Sequence, residues 1–108
     1  PTKDLLPENG TGGYIVEKGG IAIVAGFLYT TNSKVSWVEW IVSNKDYRDK
    51  DRKEALELLI SGIEHVAKAS GYSIILSIAR NKGLIHTFKE LNYTVDDSPS
   101  FEVSKKIN

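Results

Sequence analysis

The sequence predicts an α+β domain: a mixed central sheet, opened by an antiparallel meander and continued by a βαβ crossover, flanked by two helices. Three observations predict it. Residues 14–43 hold three apolar, β-prone runs separated by short turn signals. Residues 49–70 carry apolar side chains at helical spacing. Residues 73–92 then give a short apolar run followed by a second, shorter helical pattern.

In chain order, residues 1–13 read as an irregular arm, because Pro7, Gly10, Gly12 and Gly13 break both regular periods. Residues 14–108 read as one domain. Tyr14 to Glu17 is the first strand, and Lys18-Gly19-Gly20 is a turn. Ile21 to Thr31 is the second strand, apolar enough to suggest burial on both faces, with Gly26 marking a bulge or a close backbone approach, or else a small residue fitted to packing. Asn32-Ser33-Lys34 makes the next turn, and Val35 to Ser43 the third strand. A helix begins within residues 49–53, where Asp49 or Asp51 can accept N–H bonds as the cap. Its buried stripe is Leu56, Leu59, Ile60, Ile63, Val66 and Ala67, and Gly71 fits the left-handed position after its end. Ser73 to Ala79 reads as a buried strand. Because a helix connects it to the third strand, these two strands should lie parallel. Asn81 to Asn92 is a helix with Leu84, Ile85, Phe88 and Leu91 inward. Tyr93 to Val95 and Phe101 to Lys105 read as the last strands, a hairpin around Asp96-Asp97-Ser98-Pro99.

Composition narrows the function. Lys plus Arg and Asp plus Glu both number 14 in 108 residues, so the sequence-wide basic field of a nucleic-acid binder is absent. With no cysteine, disulfides, thiolate zinc sites and a cysteine nucleophile are excluded. No apolar run approaches the ~20 residues of a membrane span. PTKDLLPENG lacks the blocks of a signal peptide, and the expectation is a cytoplasmic protein with no membrane partner.

The stretch from Trp37 to Leu59 holds the chemistry. An apolar strand, WVEWIVS, runs through a charged turn into the N-terminus of the long helix. Unpaired first-turn amides and the helix dipole make such a place suited to an anion. The alternative is a solvated helix start with Asp51 as cap and intrahelical charge pairs. Within the strand, Glu39 stands between Trp37 and Ile41 on one face, where partial burial would raise its pKa. It is then a candidate base, or an ordinary exposed carboxylate. By alternation Trp37 and Trp40 point to opposite faces. His86 falls off the apolar stripe of the second helix, within reach of Glu90 or Lys82. His65 stands alone on the long helix, and no metal is expected.

Two segments carry a family resemblance. Val42-Ser43-Asn44-Lys45-Asp46-Tyr47-Arg48 resembles the strand end and arginine that open the cofactor loop of the GNAT superfamily of N-acetyltransferases. Asn81, Leu84-Ile85, Phe88, Glu90-Leu91 and Asn92-Tyr93 keep the spacing of that family's Asn, apolar pair, aromatic and Leu-Gly-Phe. The style also resembles short GNAT-like proteins of bacteriophages. The resemblance implies a GNAT-like mixed sheet whose parallel pair splays, with the family's N-terminal helices absent or truncated. It implies acetyl-CoA as acyl donor and an amine of a small molecule or protein as acceptor. Pantetheine would pair with backbone near Ile41, Val42 and Ser43, and the pyrophosphate would sit on the turn over residues 48–53. Arg48, Lys50, Asp51, Arg52, Lys53, Asn81 and Phe88 complete the implied cofactor contacts, with Glu39 as the catalytic candidate. The sequence departs from the family in three places. The loop glycines are replaced, with either Asp51 and Lys53 or, shifted by two, Lys53 and Ala55 on their positions. Phe88 takes the place of the usual tyrosine acid. Little chain precedes Tyr14, so the expectation is a minimal member of the family, a fragment, or a site completed by another subunit, with a homodimer as one form of the last. The alternative is an inactive GNAT-like module that binds protein or acyl-CoA.

Overall fold

The structure, a computed structural model, describes residues 12–47, 49–96 and 103–107. β1 (Gly13–Lys18), β2 (Ile21–Tyr29), β3 (Val35–Ser43) and β4 (Ile74–Leu76) form a four-stranded sheet in the order β1-β2-β3-β4. The helices α1 (Arg52–Ala69) and α2 (Lys82–Glu90) precede and follow β4. β1 and β2 pair antiparallel through Gly19 and Gly20, with φ of +59° and +80°, the left-handed pair a tight hairpin requires. β2 and β3 are antiparallel, and β3 and β4 parallel, as the crossover predicts. This is the α+β architecture expected.

The core lies between one sheet face and α1. Val24 and Leu28 of β2 and Val38 of β3 meet Ala55, Leu59, Ile60, Ile63 and Ala67. A register shift between Val16 and Glu17 lets the consecutive residues Ile23 and Val24 both turn inward. Gly26 lies opposite a bulge on β3, and what approaches it closely is side chain, not backbone, as for a small residue fitted to packing. It sits at the register shift between β2 and β3, and a Cβ there would lie 3.2 Å from Leu59 Cδ2 and 3.3 Å from Ile41 Cγ1.

Both helices end in the same way. Gly71, at φ +93°, donates to Lys68 O (3.1 Å) while Tyr72 donates to Ala67 O (3.0 Å). Asn92, at φ +71°, donates to Lys89 O and Tyr93 to Phe88 O, both at 3.0 Å. These are the paired bonds of a Schellman cap. The second is clamped by Phe88 and Tyr93, whose ring centroids are 4.7 Å apart.

Four expectations are corrected. β2 is buried on one face only: Ile21 is exposed, and Ala25, Phe27 and Tyr29 are half-buried. The strand expected over Ser73–Ala79 is reduced to Ile74–Leu76, and Ile74, Leu76 and Ile78 are exposed, because the helices pack on the opposite face. Tyr93 to Val95 is not a strand. Tyr93 is instead drawn back onto the helices, through the α2 cap and a 2.6 Å bond from its hydroxyl to Glu64 on α1. Residues 103–105 are not strand either, and residues 97–102 of the expected hairpin, with residues 1–11 of the arm, lie outside the described residues. Finally, Asp51 occupies the N-cap position of α1 but its side chain accepts no capping bond.

Candidate functional site

The site starts from a bulge. β2 and β3 pair Ala25 with Val42 and Phe27 with Glu39, so β3 carries one residue more than β2 over this interval. Trp40 takes up the excess at φ +56°, a rare conformation for a bulky residue. The bulge inverts the alternation beyond it. Ile41 turns to the helix side, beside Gly26, and no longer shares a face with Trp37 and Glu39. The Trp40 side chain hydrogen-bonds Tyr29, whose cross-strand partner is Trp37, so the two tryptophans do not face opposite ways. The Tyr29 hydroxyl is pushed up by burial, with Glu39 adding to the shift and the Trp40 bond opposing it.

On its other side β3 loses its partner. The ladder to β4 runs through Val35↔Ile74 and Ser36↔Ile75 and ends at Trp37↔Leu76. Beyond it the chains part into a fork, β3 on one arm and residues 77–81 on the other. A cavity of about 440 Å³ opens on the helix side of the fork, floored by Ile23, Val24 and Ile41 and walled by Leu56 and Leu84. Its rim carries Ser43, Arg52, Lys53, Asn81, His86 and Thr87. A second depression of about 350 Å³ is lined by Glu39, Trp40 and residues 77–81. The two share Ile41, Asn81 and Leu84, so they meet at the fork.

Backbone direction decides which amides a ligand in the fork can reach. Asn44 donates its N–H to Ile23 O (2.8 Å). With a strand period of two, Val42 also turns its N–H to β2, and Ser43 turns its N–H away from β2, toward the fork.

The turn before α1 is tightly built. Asn44 Nδ2 donates to Ala22 O (2.8 Å), and its Oδ1 accepts the Asp46 N–H (3.0 Å). Tyr47 is buried and donates its hydroxyl to Asp51 (2.6 Å), and Lys18, on the β1–β2 hairpin, donates to the same carboxylate (2.8 Å). These bonds hold the Asp51 carboxyl below its ordinary range, the Lys18 bond contributing most. The same bonds raise Lys18 and Tyr47. Thus Asp51 is turned aside from the first turn of α1, and its charge is compensated. The first-turn amides are left without a side-chain cap, a fit for an anion that the sequence alone placed in doubt.

Across the cavity mouth Glu90 gathers two groups. Lys53 Nζ donates to Glu90 Oε1 at 2.9 Å, and His86 Nε2 contacts the same oxygen. The Lys53 bond lowers Glu90 and, reciprocally, raises Lys53.

Of the residues the resemblance implied, Ile41, Ser43, Arg52, Lys53 and Asn81 line the helix-side cavity. Val42 points outward and is exposed. Lys50 and Asp51, just before α1, line a separate shallow depression beside its first turns. Phe88 is buried in the core and does not line the cavity. Glu39 lies on the other side of the fork, and Arg48 lies outside the described residues. Asn81 has a role the sequence reading missed: its Oδ1 accepts the Leu84 N–H (3.1 Å) and caps α2. The Asn three residues before Leu84 was the available signal. The grip of Lys18 on Asp51, 33 residues apart, left no local signal.

No protein-family model and no curated protein sequence matches the chain. Solved structures do. A mutant of TTHA1254 from Thermus thermophilus superposes with a TM-score of 0.67 at 13% identity, over 90% of this chain and 72% of that one. The protein AAC(6')-Iy, in complex with a bisubstrate analogue of CoA, gives 0.64 at 16%, over 87% and 69%. An aminoglycoside acetyltransferase from an uncultured soil metagenomic sample gives 0.63 at 12%, over 87% and 65%. The chain therefore spans about two thirds of the length of these proteins and has their fold, that of the GNAT acetyltransferases.

Proposed function

We propose that this chain binds acetyl-CoA in the fork and transfers its acetyl group to an amine of a small molecule or protein. The observation that carries this reading is the fork itself: a parallel pair that parts after Trp37 and Leu76 beside a cavity rimmed by Ser43, Arg52 and Lys53. Its fold-mates include AAC(6')-Iy crystallised with CoA. In this reading the Ser43 amide pairs with the pantetheine arm. The uncapped first-turn amides of α1, with Arg52 and Lys53, hold the diphosphate. The donor supplies a thioester activated toward amines. This chain's residues orient it and manage protons. Glu39, half-buried beside Trp40, is the carboxylate on the far side of the fork and the group we assign to accept the amine proton.

A second reading, an acyl-CoA-binding module without turnover, is favoured by one observation. Phe88 has no proton to give, and the phenol packed on it, Tyr93, is raised by burial and bound to Glu64. A thiol-release assay separates the two. Acetyl-CoA incubated with the protein and a panel of primary amines should give amine-dependent release of free CoA. Binding without release for any amine supports the module. Neither binding nor release overturns both readings.

A further inference from the structure

Where the ladder between β3 and β4 stops, a side chain takes over. Beyond Leu76 the amide of Ile78 has no ladder partner on β3, and Glu39 Oε1 accepts its N–H at 2.9 Å. We propose that Glu39 is a positioning residue, a strut across the fork that sets how far its two arms part and where the opening ends.

The surroundings fit such a part. A ladder bond fixes neighbouring strands about 4.8 Å apart, whereas a glutamate side chain reaches further and lets the strands diverge while still joined. A bond from an amide to a carboxylate is stronger than one between neutral groups, which suits a cross-link beyond the end of the ladder. Glu39 immediately precedes the bulge at Trp40, and Trp40 is itself tied to Tyr29 on β2, so the carboxylate is carried by a fixed part of β3. Residues 77–81 form no strand or helix, yet they line the second depression and deliver Asn81 to the N-cap of α2 and to the rim of the helix-side cavity. The strut accordingly holds the wall that ends in Asn81, and it closes the fork on the Trp37–Leu76 side. The geometric claim stands on the ligand-free chain. Its consequence, that an extended acyl donor lies between Ser43 and Glu39 and stops at the carboxylate, rests on the function proposed above.

Amide hydrogen exchange of the ligand-free protein, read residue by residue by NMR, tests the strut. Ile78 should be protected in the wild type. It should exchange at least tenfold faster in Glu39→Ala and in Glu39→Asp, which is one methylene too short. It should keep its protection in Glu39→Gln, whose side-chain carbonyl still accepts the bond. Unchanged protection of Leu59 and Ile63 in α1 marks each variant as folded. Equal Ile78 exchange in wild type and Glu39→Asp would overturn the proposal, as would loss of protection in Glu39→Gln while α1 stays protected. With acetyl-CoA added, Glu39→Asp should bind about tenfold more weakly than Glu39→Gln. If the wild type binds no acetyl-CoA, the proposed function fails while the exchange result still decides the strut.

Discussion

Gly26 is the position where packing and the cavity are most directly coupled. A Cβ added there would meet Leu59 Cδ2 at 3.2 Å, Ile41 Cγ1 at 3.3 Å and Ile63 Cδ1 at 3.6 Å. These are outer atoms of flexible side chains, and in Gly26→Ala each need give only a few tenths of an ångström. Removing a glycine also lowers the entropy of the unfolded chain, worth about 0.4–1 kcal/mol where the backbone conformation is allowed. We therefore expect Gly26→Ala to fall within about 1 kcal/mol of wild type. Gly26→Val adds two more methyl groups to a space whose nearest atoms are already tight. Overpacking of this kind costs about 1–3 kcal/mol. At roughly 4–8 °C per kcal/mol for a domain of this size, Tm should drop by about 4–24 °C. Relief is available on one side, where Ile41 floors the cavity, so the valine should also shrink the cavity and weaken acetyl-CoA. Urea unfolding of the three proteins gives the stabilities, and calorimetric titration the affinities. A valine variant as stable as wild type, or an alanine variant that costs more than about 2 kcal/mol, would refute the packing argument.

Three other outcomes follow from the same geometry. Asn81→Ala removes the cap of α2 and should cost about 1 kcal/mol in urea unfolding, a typical value for a lost N-cap. Tyr93 is raised above its ordinary value by burial and by Glu64, so the neutral phenol is favoured in the fold. That contribution is fully present below about pH 10 and is lost as pH rises beyond it; unfolding measured between pH 9 and 11.5 should weaken more steeply in wild type than in Tyr93→Phe. Ser43→Pro deletes an amide that faces the fork, whereas Val42→Pro deletes one that faces β2. By calorimetry and thermal unfolding, the first should lose at least tenfold in acetyl-CoA affinity with little change in Tm, and the second should lose stability.

Much of the architecture was legible because it rests on local signals. The range Val35–Ser43, the Gly19-Gly20 turn and the left-handed Gly71 each follow from a few adjacent residues. The parallel pairing of β3 and β4 follows from chain connectivity. The fork's details were not legible, because they depend on one inserted residue. The excess at Trp40 shifts Ile41 to the helix side, separates it from Glu39 and carries the Trp40 indole to Tyr29; no local pattern in WVEWIVS marks it. By sequence the Asp51 carboxylate reads as a cap, but Lys18 from a distant hairpin and the buried Tyr47 give it another role. Tyr93 reads as strand by its β propensity, and tertiary packing on Phe88 and Glu64 overrides that preference.

The most direct test of the account is an NMR titration of the labelled protein with acetyl-CoA, following backbone amides. The account predicts saturable binding at micromolar strength, with the largest shifts at Ser43, Lys53, Glu54 and the residues around Asn81. Saturable binding with shifts elsewhere, on the exposed sheet face carrying Ile15 and Ile74 for instance, or no binding at all, would contradict it.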